Sequence, residues 1–259
     1  MFVPAGNEMH ASDAALQLIL HMVTNSEIKD YYDSFTAYEL KRGINLRHYH
    51  VFNEIVKAGL KKHHHVLEIG CGIGQLTYLM HQYLRRGKLL SADISPQSVE
   101  LARKRIGPSS RMEFVVSDMT TFTHNEKFDF LILPDVLEHI PVENHPALFG
   151  LMSSLMHEHS KIVIHIPHPK FIESDRIHHP ERLQIIDQPL SAATFLSHCY
   201  PHGLLLDRYE AYSLFNREHD YVFIVLKRDV LPPFVPFPKW KIIWKKSVGR
   251  VRYFFSTRL

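Results

Sequence analysis

The sequence predicts an α/β protein with a doubly wound, mostly parallel seven-stranded sheet, an antiparallel last strand and an N-terminal helical cap. Short apolar runs alternate with helical patterns from residue 61 to about residue 230, which is typical of parallel sheets covered by helices on both faces. A glycine-rich turn directly follows the first apolar run. The length of 259 residues allows one large domain and is short for two.

The composition excludes several classes of protein. Hydrophobic residues make up 45% and charged residues 22% of the chain, so it is neither collagen-like nor a coiled coil nor wholly disordered. No apolar run reaches the roughly 18 residues of a membrane span, and the first residues lack the pattern of a signal peptide. The two cysteines, Cys71 and Cys199, are too few for a disulfide framework. We therefore expect a cytoplasmic protein.

Residues 1–60 form the predicted helical cap, which belongs to the same domain as the sheet. Ser12 or Asp13 can cap a first helix, and a second helix is predicted over residues 46–60. In both segments, apolar residues recur at helical spacing. These residues are Leu16, Ile19, Leu20 and Val23 in the first helix and Tyr49, Phe52, Ile55 and Val56 in the second.

Residues 61–230 form the predicted core, in which strands and helices alternate. In sheets of this kind, ligands bind at the carboxyl ends of the strands, near the point where the strand order reverses. The loops that follow the strands are therefore the expected location of the site. Strands are predicted over residues 65–69, 88–92, 112–116, 128–133, 162–166, 204–209 and 221–226, and helices over residues 75–85, 96–105, 142–156 and 191–198.

The strongest indication of a binding site is the segment E-I-G-C-G-I-G at residues 68–74. Glycine has no side chain, so a ligand can lie against the backbone of such a turn. The helix that follows offers free N–H groups to a carboxylate or a phosphate. A nicotinamide-binding turn has the spacing G-x-G-x-x-G, whereas this turn has G-x-G-x-G, which makes a nicotinamide-dependent oxidoreductase the least favoured interpretation.

This pattern resembles the class I S-adenosylmethionine-dependent methyltransferases, whose sheet is Rossmann-like. The resemblance covers about residues 65–226 and implies S-adenosyl-L-methionine as the cofactor. In that family, the segment that matches residues 68–74 wraps the methionine end of the cofactor. The resemblance therefore assigns cofactor binding to Glu68, Gly70, Cys71, Gly72 and Gly74.

The same resemblance assigns roles to residues that follow the next three strands. Asp93 matches the acidic residue that binds both ribose hydroxyls, a task that suits a carboxylate because it accepts hydrogen bonds from two adjacent hydroxyls. Asp118 matches the residue that pairs with the adenine amino group. By the same resemblance, Ile94 and Met119 flank the adenine ring, and Leu133 faces the methionyl chain.

A second, shorter resemblance precedes the core. The segment I-N-L-R at residues 44–47 resembles the Asn-x-x-Arg element of the ubiquinone-biosynthesis O-methyltransferases, in which the arginine supports the cofactor carboxylate. One residue between Asn45 and Arg47 is missing relative to that element, and a surface arginine on a helix is an equally favoured interpretation. Tyr31 and Tyr32 resemble an aromatic pair that closes over the cofactor in related enzymes, although core packing is favoured for at least one of them.

A polar cluster follows the fourth strand. Asp135, Glu138 and His139 stand at i, i+3 and i+4, so they share one face if the segment is helical. Two carboxylates and an imidazole can hold a divalent metal ion, with His178 or His179 as a further ligand. Some relatives, including the ubiquinone O-methyltransferases and the small-RNA 2′-O-methyltransferases, carry Glu-x-x-Glu-His here and use a metal. This chain has Asp in the first place, and a site without metal is favoured.

Histidines supply the candidates for a proton acceptor. His139 is the first candidate, because imidazole titrates close to neutrality. His165 and His168, which end the fifth strand, are second candidates. The sulfonium of the cofactor is already an activated methyl donor, so a base matters most when the acceptor is an alcohol.

Residues 231–259 form a predicted proline-rich linker and a basic aromatic tail. From Lys239 onward the chain has seven basic residues and no acidic one, which leaves the rest of the chain with a net charge of −4. The segment K-W-K-I-I-W-K-K at residues 239–246 looks like an interfacial membrane segment, which would place the protein at the inner membrane surface. A terminal helix docked on the protein body or on the second subunit of a homodimer is an equal alternative.

These features together predict a methyltransferase that acts on a small-molecule acceptor. The expected reaction is O- or N-methylation of a metabolite, with a lipid- or glycan-linked acceptor as one version. An RNA methyltransferase and a non-catalytic S-adenosylmethionine-binding module are the alternatives. The acidic body and the absence of an added RNA-binding module argue against a nucleic-acid substrate. The intact glycines and both acidic cofactor residues argue against a degenerate binding module.

The role assigned to Asp93 can be tested by mutation. We expect Asp93→Ala to weaken the binding of S-adenosylhomocysteine by about 1–3 kcal/mol, the usual contribution of charge-assisted hydrogen bonds. Isothermal titration calorimetry measures this change. An unaltered dissociation constant would contradict the assignment.

Overall fold

The computed structural model describes residues 43–184, 186–231 and 235–256. The chain divides between Asp229 and Val230 into two compact units. The predicted first helix of the cap and the tyrosines Tyr31 and Tyr32 lie outside the described residues. The assignment of separate roles to a cap, a core and a tail stays a prediction.

The first unit contains a seven-stranded sheet with the strand order β3-β2-β1-β4-β5-β7-β6. Strands β1 to β5 are parallel, and β7 runs antiparallel to both of its neighbours. The predicted fold class is confirmed. The strands are β1 His65–Ile69, β2 Lys88–Asp93, β3 Met112–Val116, β4 Phe128–Pro134, β5 Met156–Pro167, β6 Leu204–Tyr212 and β7 Tyr221–Arg228.

Six α-helices accompany the sheet in the described part of the first unit, and a seventh lies in the second unit. They are α1 Leu46–Lys57, α2 Gln75–Tyr83, α3 Pro96–Ile106, α4 His145–Ser154, α5 Pro169–His178, α6 Ala192–Cys199 and α7 Lys239–Ser256. Short 3₁₀ turns occur at Leu137–His139, Val142–Asn144, Pro180–Arg182 and Tyr200–His202. Over the ranges that the structure describes, every helix is too short or too polar to cross a membrane.

Strand β5 begins at Met156, whereas the sequence predicts a helix up to residue 156 and a strand from residue 162. Residues 157–161 are polar, so the first half of this strand lacks the apolar pattern from which a buried strand is predicted. The Ser160 hydroxyl stabilises this half by donating to the Phe128 carbonyl at 2.6 Å and accepting from the His157 N–H at 2.8 Å. Local hydrogen bonds therefore replace the apolar contacts on which the prediction relied.

Apolar clusters cover both faces of the sheet. Successive strand residues point to opposite faces, so strands buried on both sides appear as continuous apolar runs. On one face, α1 and α2 pack against the sheet through Val51, Ile55, Leu76 and Met80. On the other face, α4 and α6 pack through Phe149, Met152 and Phe195.

The chain leaves β1 through a turn that favours glycine. Gly70, Gly72 and Gly74 have φ values of 78°, 50° and 82°, in the left-handed region. A Cβ atom on Gly70 would lie 2.1 Å from Cγ2 of Val136, in the loop after β4. The turn after β1 and the loop after β4 therefore pack directly against each other, on the two sides of the point where the strand order reverses.

Substitution of Gly70 tests this close contact. We expect Gly70→Ala to lower the free energy of unfolding by about 2–5 kcal/mol, because a left-handed φ and an overpacked contact each add a cost. Chemical denaturation measures the change.

The matched control is Gly203→Ala. Gly203 has a φ of 67°, but a Cβ atom added there would meet no other atom within 4 Å among the described residues. We expect this substitution to cost only about 1–2 kcal/mol. We also expect Val136→Ala to recover part of the loss in the Gly70→Ala background. Equal costs at both glycines would refute the steric explanation.

Candidate functional site

The carboxylate of Asp93 connects the glycine turn to the end of β2. Its Oδ2 accepts a hydrogen bond from the Gly72 N–H at 2.7 Å, and its Oδ1 accepts one from the Ser95 N–H at 2.9 Å. Each carboxylate oxygen can accept more than one hydrogen bond. The backbone thus orients a half-buried carboxylate beside the turn, in a position suited to a pair of ligand hydroxyls.

Glu68, the acidic residue before the turn, has a fully buried side chain. Its Oε2 accepts hydrogen bonds from the hydroxyls of Thr77 on α2 and Ser91 on β2, both at 2.6 Å. Within the described structure, its Oε1 has no hydrogen-bond partner. Burial raises the pKa of Glu68 to about 7, although the two hydroxyls oppose this shift. Glu68 therefore links β1, β2 and α2 beneath the crevice, and a contact with the cofactor stays a prediction.

The residues expected around the adenine and the methionyl chain differ in exposure. Asp118 is exposed, and its Oδ1 accepts from the N–H and the hydroxyl of Thr120, so it stabilises its own turn. Met119 is buried with a φ of 68°, and Ile94 is half-buried after β2. Leu133 is fully buried in the cluster under α4 and α6, and its contact with the methionyl chain stays a prediction.

Four polar side chains form a hydrogen-bonded series at the carboxyl ends of β4, β5 and β6. Arg47, in the first turn of α1, forms an ion pair with Asp135, with 3.2 Å between Nη1 and Oδ2. The Nδ1 atom of His165 lies 2.6 Å from Asp135 Oδ1, and its Nε2 lies 2.6 Å from the Tyr212 hydroxyl. We call Arg47, Asp135, His165 and Tyr212 the strand-end network.

The protonation of the strand-end network follows from its contacts. Burial opposes the ionised form of Asp135, but Arg47 and His165 outweigh burial and hold the pKa of this carboxyl well below its usual range. Burial raises the pKa of Tyr212 far above its usual value, and the charge of Asp135 adds to this effect. An ionised carboxylate only accepts hydrogen bonds, so His165 donates from Nδ1. In the tautomer with its proton on Nδ1, the Nε2 atom accepts from the Tyr212 hydroxyl.

The backbone of Asp135 is strained. Its φ of 55° lies in the left-handed region, which is uncommon for a residue with a side chain. Its N–H donates to the His165 carbonyl at 2.8 Å, so both the backbone and the side chain of Asp135 bind His165. Such conformations concentrate at functional sites. The predicted contact between Arg47 and a cofactor carboxylate stays a prediction, and in this structure the guanidinium binds Asp135.

Aromatic rings that the sequence patterns do not reveal enclose this network. His50 stacks on Tyr212 with ring centres 4.3 Å apart, and Tyr221 stacks on His165 with ring centres 4.8 Å apart. Tyr212 and Tyr221 are directly paired across β6 and β7. The sequence predicts that these two tyrosines are paired only if the register between β6 and β7 is known. That register shifts within β6, between residues 206 and 208.

His139, the first candidate for a proton acceptor, belongs to a separate cluster. Its Nδ1 lies 2.6 Å from the Ile186 carbonyl and 3.1 Å from Asp187 Oδ1, and its Nε2 lies 3.8 Å from Glu138 Oε1. Burial opposes the charged form, but Glu138 and Asp187 outweigh burial and raise the pKa of His139 to about 9. The raised pKa favours the protonated form of His139, and its assignment as the proton acceptor stays a prediction.

The four candidate metal ligands do not converge on one point. The segment at residues 137–139 is a 3₁₀ turn preceded by the left-handed Asp135, so the expected shared helical face is absent at residues 135–139. His179 pairs with Glu181 at 3.4 Å. Within the described ranges, no group of three or more histidine, cysteine or acidic side chains is arranged to hold a metal ion. The residues present do not fit a metal site.

Comparisons with known proteins extend these observations. Residues 66–159 match a family model described as a methyltransferase domain. Malonyl-[acyl-carrier protein] O-methyltransferase 1 of Ilyobacter polytropus is 30% identical over 109 residues, which cover 42% of this chain and 40% of that protein. Nodulation protein S of Bradyrhizobium diazoefficiens is 34% identical over 91 residues, 34% of this chain and 43% of that protein. The chain therefore spans less than half the length of these curated relatives.

Solved structures cover more of the chain at lower identity. Magnesium protoporphyrin IX methyltransferase of Synechocystis, with bound SAH, superposes with a TM-score of 0.61 at 18% identity, covering 79% of this chain and 99% of that chain. The N-methyltransferase NodS of Bradyrhizobium japonicum superposes with a TM-score of 0.56 at 17% identity, covering 71% and 95%. These superpositions show that the chain shares its fold with both of these solved structures.

The buried carboxyl of Glu68 predicts a pH-dependent stability. Its pKa is higher in the folded chain, about 7, than the ordinary 4.5, so the unfolded chain loses this proton first as the pH rises. The contribution of Glu68 to the free energy of unfolding therefore falls by up to about 3 kcal/mol between pH 4.5 and pH 7. Glutamine has no such proton, so we expect the stability of Glu68→Gln relative to the wild type to rise over this range.

Urea denaturation at several pH values measures this difference. Glu113→Gln is the control, because Glu113 is an exposed glutamate of β3 in the same sheet. We expect its stability to follow that of the wild type at each pH. Parallel pH profiles for Glu68→Gln and the wild type would show that folding does not raise the pKa of Glu68.

Proposed function

We propose that the chain is a class I S-adenosylmethionine-dependent methyltransferase that methylates a small-molecule acceptor, which its fold and the methyltransferase-domain match at residues 66–159 support. The observation that carries the proposal is the Asp93 carboxylate, held by backbone N–H groups beside the glycine turn. This carboxylate lies at the carboxyl edge of the sheet, next to the reversal of strand order, where such folds bind ligands.

In the proposed complex, this chain's residues bind and orient S-adenosylmethionine. Asp93 accepts hydrogen bonds from the ribose hydroxyls, and the turn at residues 70–74 lets the ligand lie against the backbone. The first N–H groups of α2 suit the carboxylate of the methionyl part. When bound, the cofactor supplies a methyl group on a positively charged sulfonium.

The strand-end network provides a route for the acceptor's proton. His165 is only 1% exposed, so a substrate reaches it through the half-buried Tyr212 hydroxyl. An acceptor hydroxyl or amine gives its proton to the Tyr212 oxygen while Tyr212 passes its own proton to His165 Nε2. The resulting imidazolium is stabilised by ionised Asp135, which already binds Nδ1. This relay assigns proton storage to His165, and leaves His139, whose raised pKa favours the protonated form, with a structural role.

The relay favours an acceptor that loses a proton as it is methylated. Alcohols and neutral amines that carry an N–H have this property, whereas a carboxylate does not. Positioning of the acceptor in line with the methyl group supplies the larger part of the acceleration, on the order of 7–11 kcal/mol in well-oriented systems. We therefore propose O- or N-methylation of a small molecule bound between α1, the loop after β4 and the end of β5.

Two measurements test the proposed function. Calorimetry with S-adenosylhomocysteine tests cofactor binding, and incubation with methyl-labelled S-adenosylmethionine and a fractionated metabolite pool tests transfer. We expect binding together with label in a small organic molecule. Binding without transfer to any fraction would favour a non-catalytic module, and label in added RNA would favour an RNA methyltransferase.

The relay predicts a specific effect of Tyr212→Phe. The ring and its stacking on His50 remain, but the hydroxyl that bridges the acceptor and His165 is lost. We expect kcat to fall about 100-fold or more, in the range of general acid–base effects, without a change in the Kd for S-adenosylhomocysteine. Because both groups act in one series, the double variant with His165→Gln should lose no more than the larger single loss.

Tyr209→Phe is the matched control, because Tyr209 lies on the same strand and is packed against the opposite apolar cluster. We expect it to keep the wild-type kcat. Wild-type turnover by Tyr212→Phe, or additive losses in the double variant, would contradict the relay while leaving the proposed methyl transfer intact.

A further inference from the structure

The helix of the second unit separates its apolar and basic residues onto different faces. Helix α7 has 18 residues, about 27 Å of helix at 1.5 Å per residue. At 100° per residue, one arc of about 120° contains aromatic and aliphatic side chains interrupted only by Ser247. The members of this apolar arc are Trp240, Ile243, Trp244, Val251, Phe254 and Phe255.

The apolar arc is exposed along the whole helix. In the first half of α7, Trp240 is 68% exposed and Trp244 is 61% exposed. Near the end of the helix, Phe255 is 66% exposed. Isolated apolar side chains on a surface are ordinary, but a continuous exposed row of large ones marks an interaction surface.

Basic residues border the apolar arc on both edges. Lys246 and Arg250 lie along one edge, and Lys241 and Lys245 lie along the other. The ammonium groups of Lys241 and Lys245 lie 4.6 and 4.3 Å from the ring centre of Phe237, which holds both on that edge. No acidic residue occurs from residue 239 onward, so no charge in this segment opposes an anionic surface.

We propose that α7 docks in the plane of an anionic lipid membrane. The apolar arc enters the boundary between headgroups and acyl chains, and the lysines on both edges extend to the phosphates. Tryptophan favours this boundary because its ring is apolar and its N–H is polar. A nucleic acid would engage the basic edges and leave the apolar arc in water. This inference is independent of the proposed methyl transfer.

The two tryptophans make the docking directly observable. The chain contains only two, and both lie in the apolar arc of α7. Their fluorescence in the full-length protein therefore reports on this helix alone. We expect the emission to shift to the blue with vesicles of phosphatidylcholine and about 30% phosphatidylserine, and binding to weaken as salt screens the charges.

Two adjacent isoleucines provide a matched pair of variants. Ile243 lies in the apolar arc and is 64% exposed, whereas Ile242 lies outside it and is 51% exposed. Ile243→Glu and Ile242→Glu make the same change in charge and size and keep both tryptophans. We expect Ile243→Glu to weaken vesicle binding about 10-fold or more, and Ile242→Glu by only about 3-fold through its charge.

Co-sedimentation with vesicles and the tryptophan emission measure both variants. The proposal is overturned if the wild type does not bind the anionic vesicles, if it binds pure phosphatidylcholine equally well, or if both variants lose binding equally. Self-association that Ile243→Glu abolishes, without vesicle binding by the wild type, would assign the apolar arc to a second copy of the chain. None of these outcomes depends on methyl transfer, so that proposal is tested separately.

Discussion

The ionised carboxylate of Asp135 is the constraint around which the carboxyl ends of β4, β5 and β6 are organised. A charge taken out of water destabilises a fold unless it is paired and hydrogen-bonded. Arg47 and His165 supply the two partners, and each brings a separate element to the loop after β4. The helix α1, the end of β5 and, through Tyr212, the end of β6 are thereby fixed relative to one another.

The fully buried carboxyl of Glu68 and the half-buried carboxyl of Asp135, in the loop after β4, show how surroundings decide protonation. Glu68 has hydroxyl partners and no cation, and burial raises its pKa. Asp135 has a guanidinium partner, and its pKa falls despite burial. The first group accepts hydrogen bonds from two hydroxyls beneath the glycine turn, and the second binds a guanidinium and an imidazole. The same chemical group thus favours its neutral form at one position and its ionised form at the other.

The sequence predicts those parts of the site whose cause is local. The turn at residues 70–74 follows from glycine spacing, the role of Asp93 is implied by the family resemblance, and the fold class is confirmed. The burial of Leu133 follows from its place at the end of an apolar strand, but an apolar strand end does not reveal which side a ligand occupies. The strand-end network could not be predicted, because Tyr212 lies 77 residues from Asp135 and its position depends on the pairing of β6 with β7. The polar first half of β5 escaped prediction because hydrogen bonds of Ser160, not apolar contacts, hold it.

The direct packing of Gly70 against Val136 has an evolutionary consequence. Gly70 lies in the turn after β1 and Val136 follows Asp135 in the loop after β4. The space between them has no room for a further side-chain atom on Gly70. A larger residue at position 70 would displace the backbone that aims Asp135 at His165. We therefore expect residues 70 and 136 to covary among homologous chains, because a larger side chain in one loop requires a smaller side chain in the other.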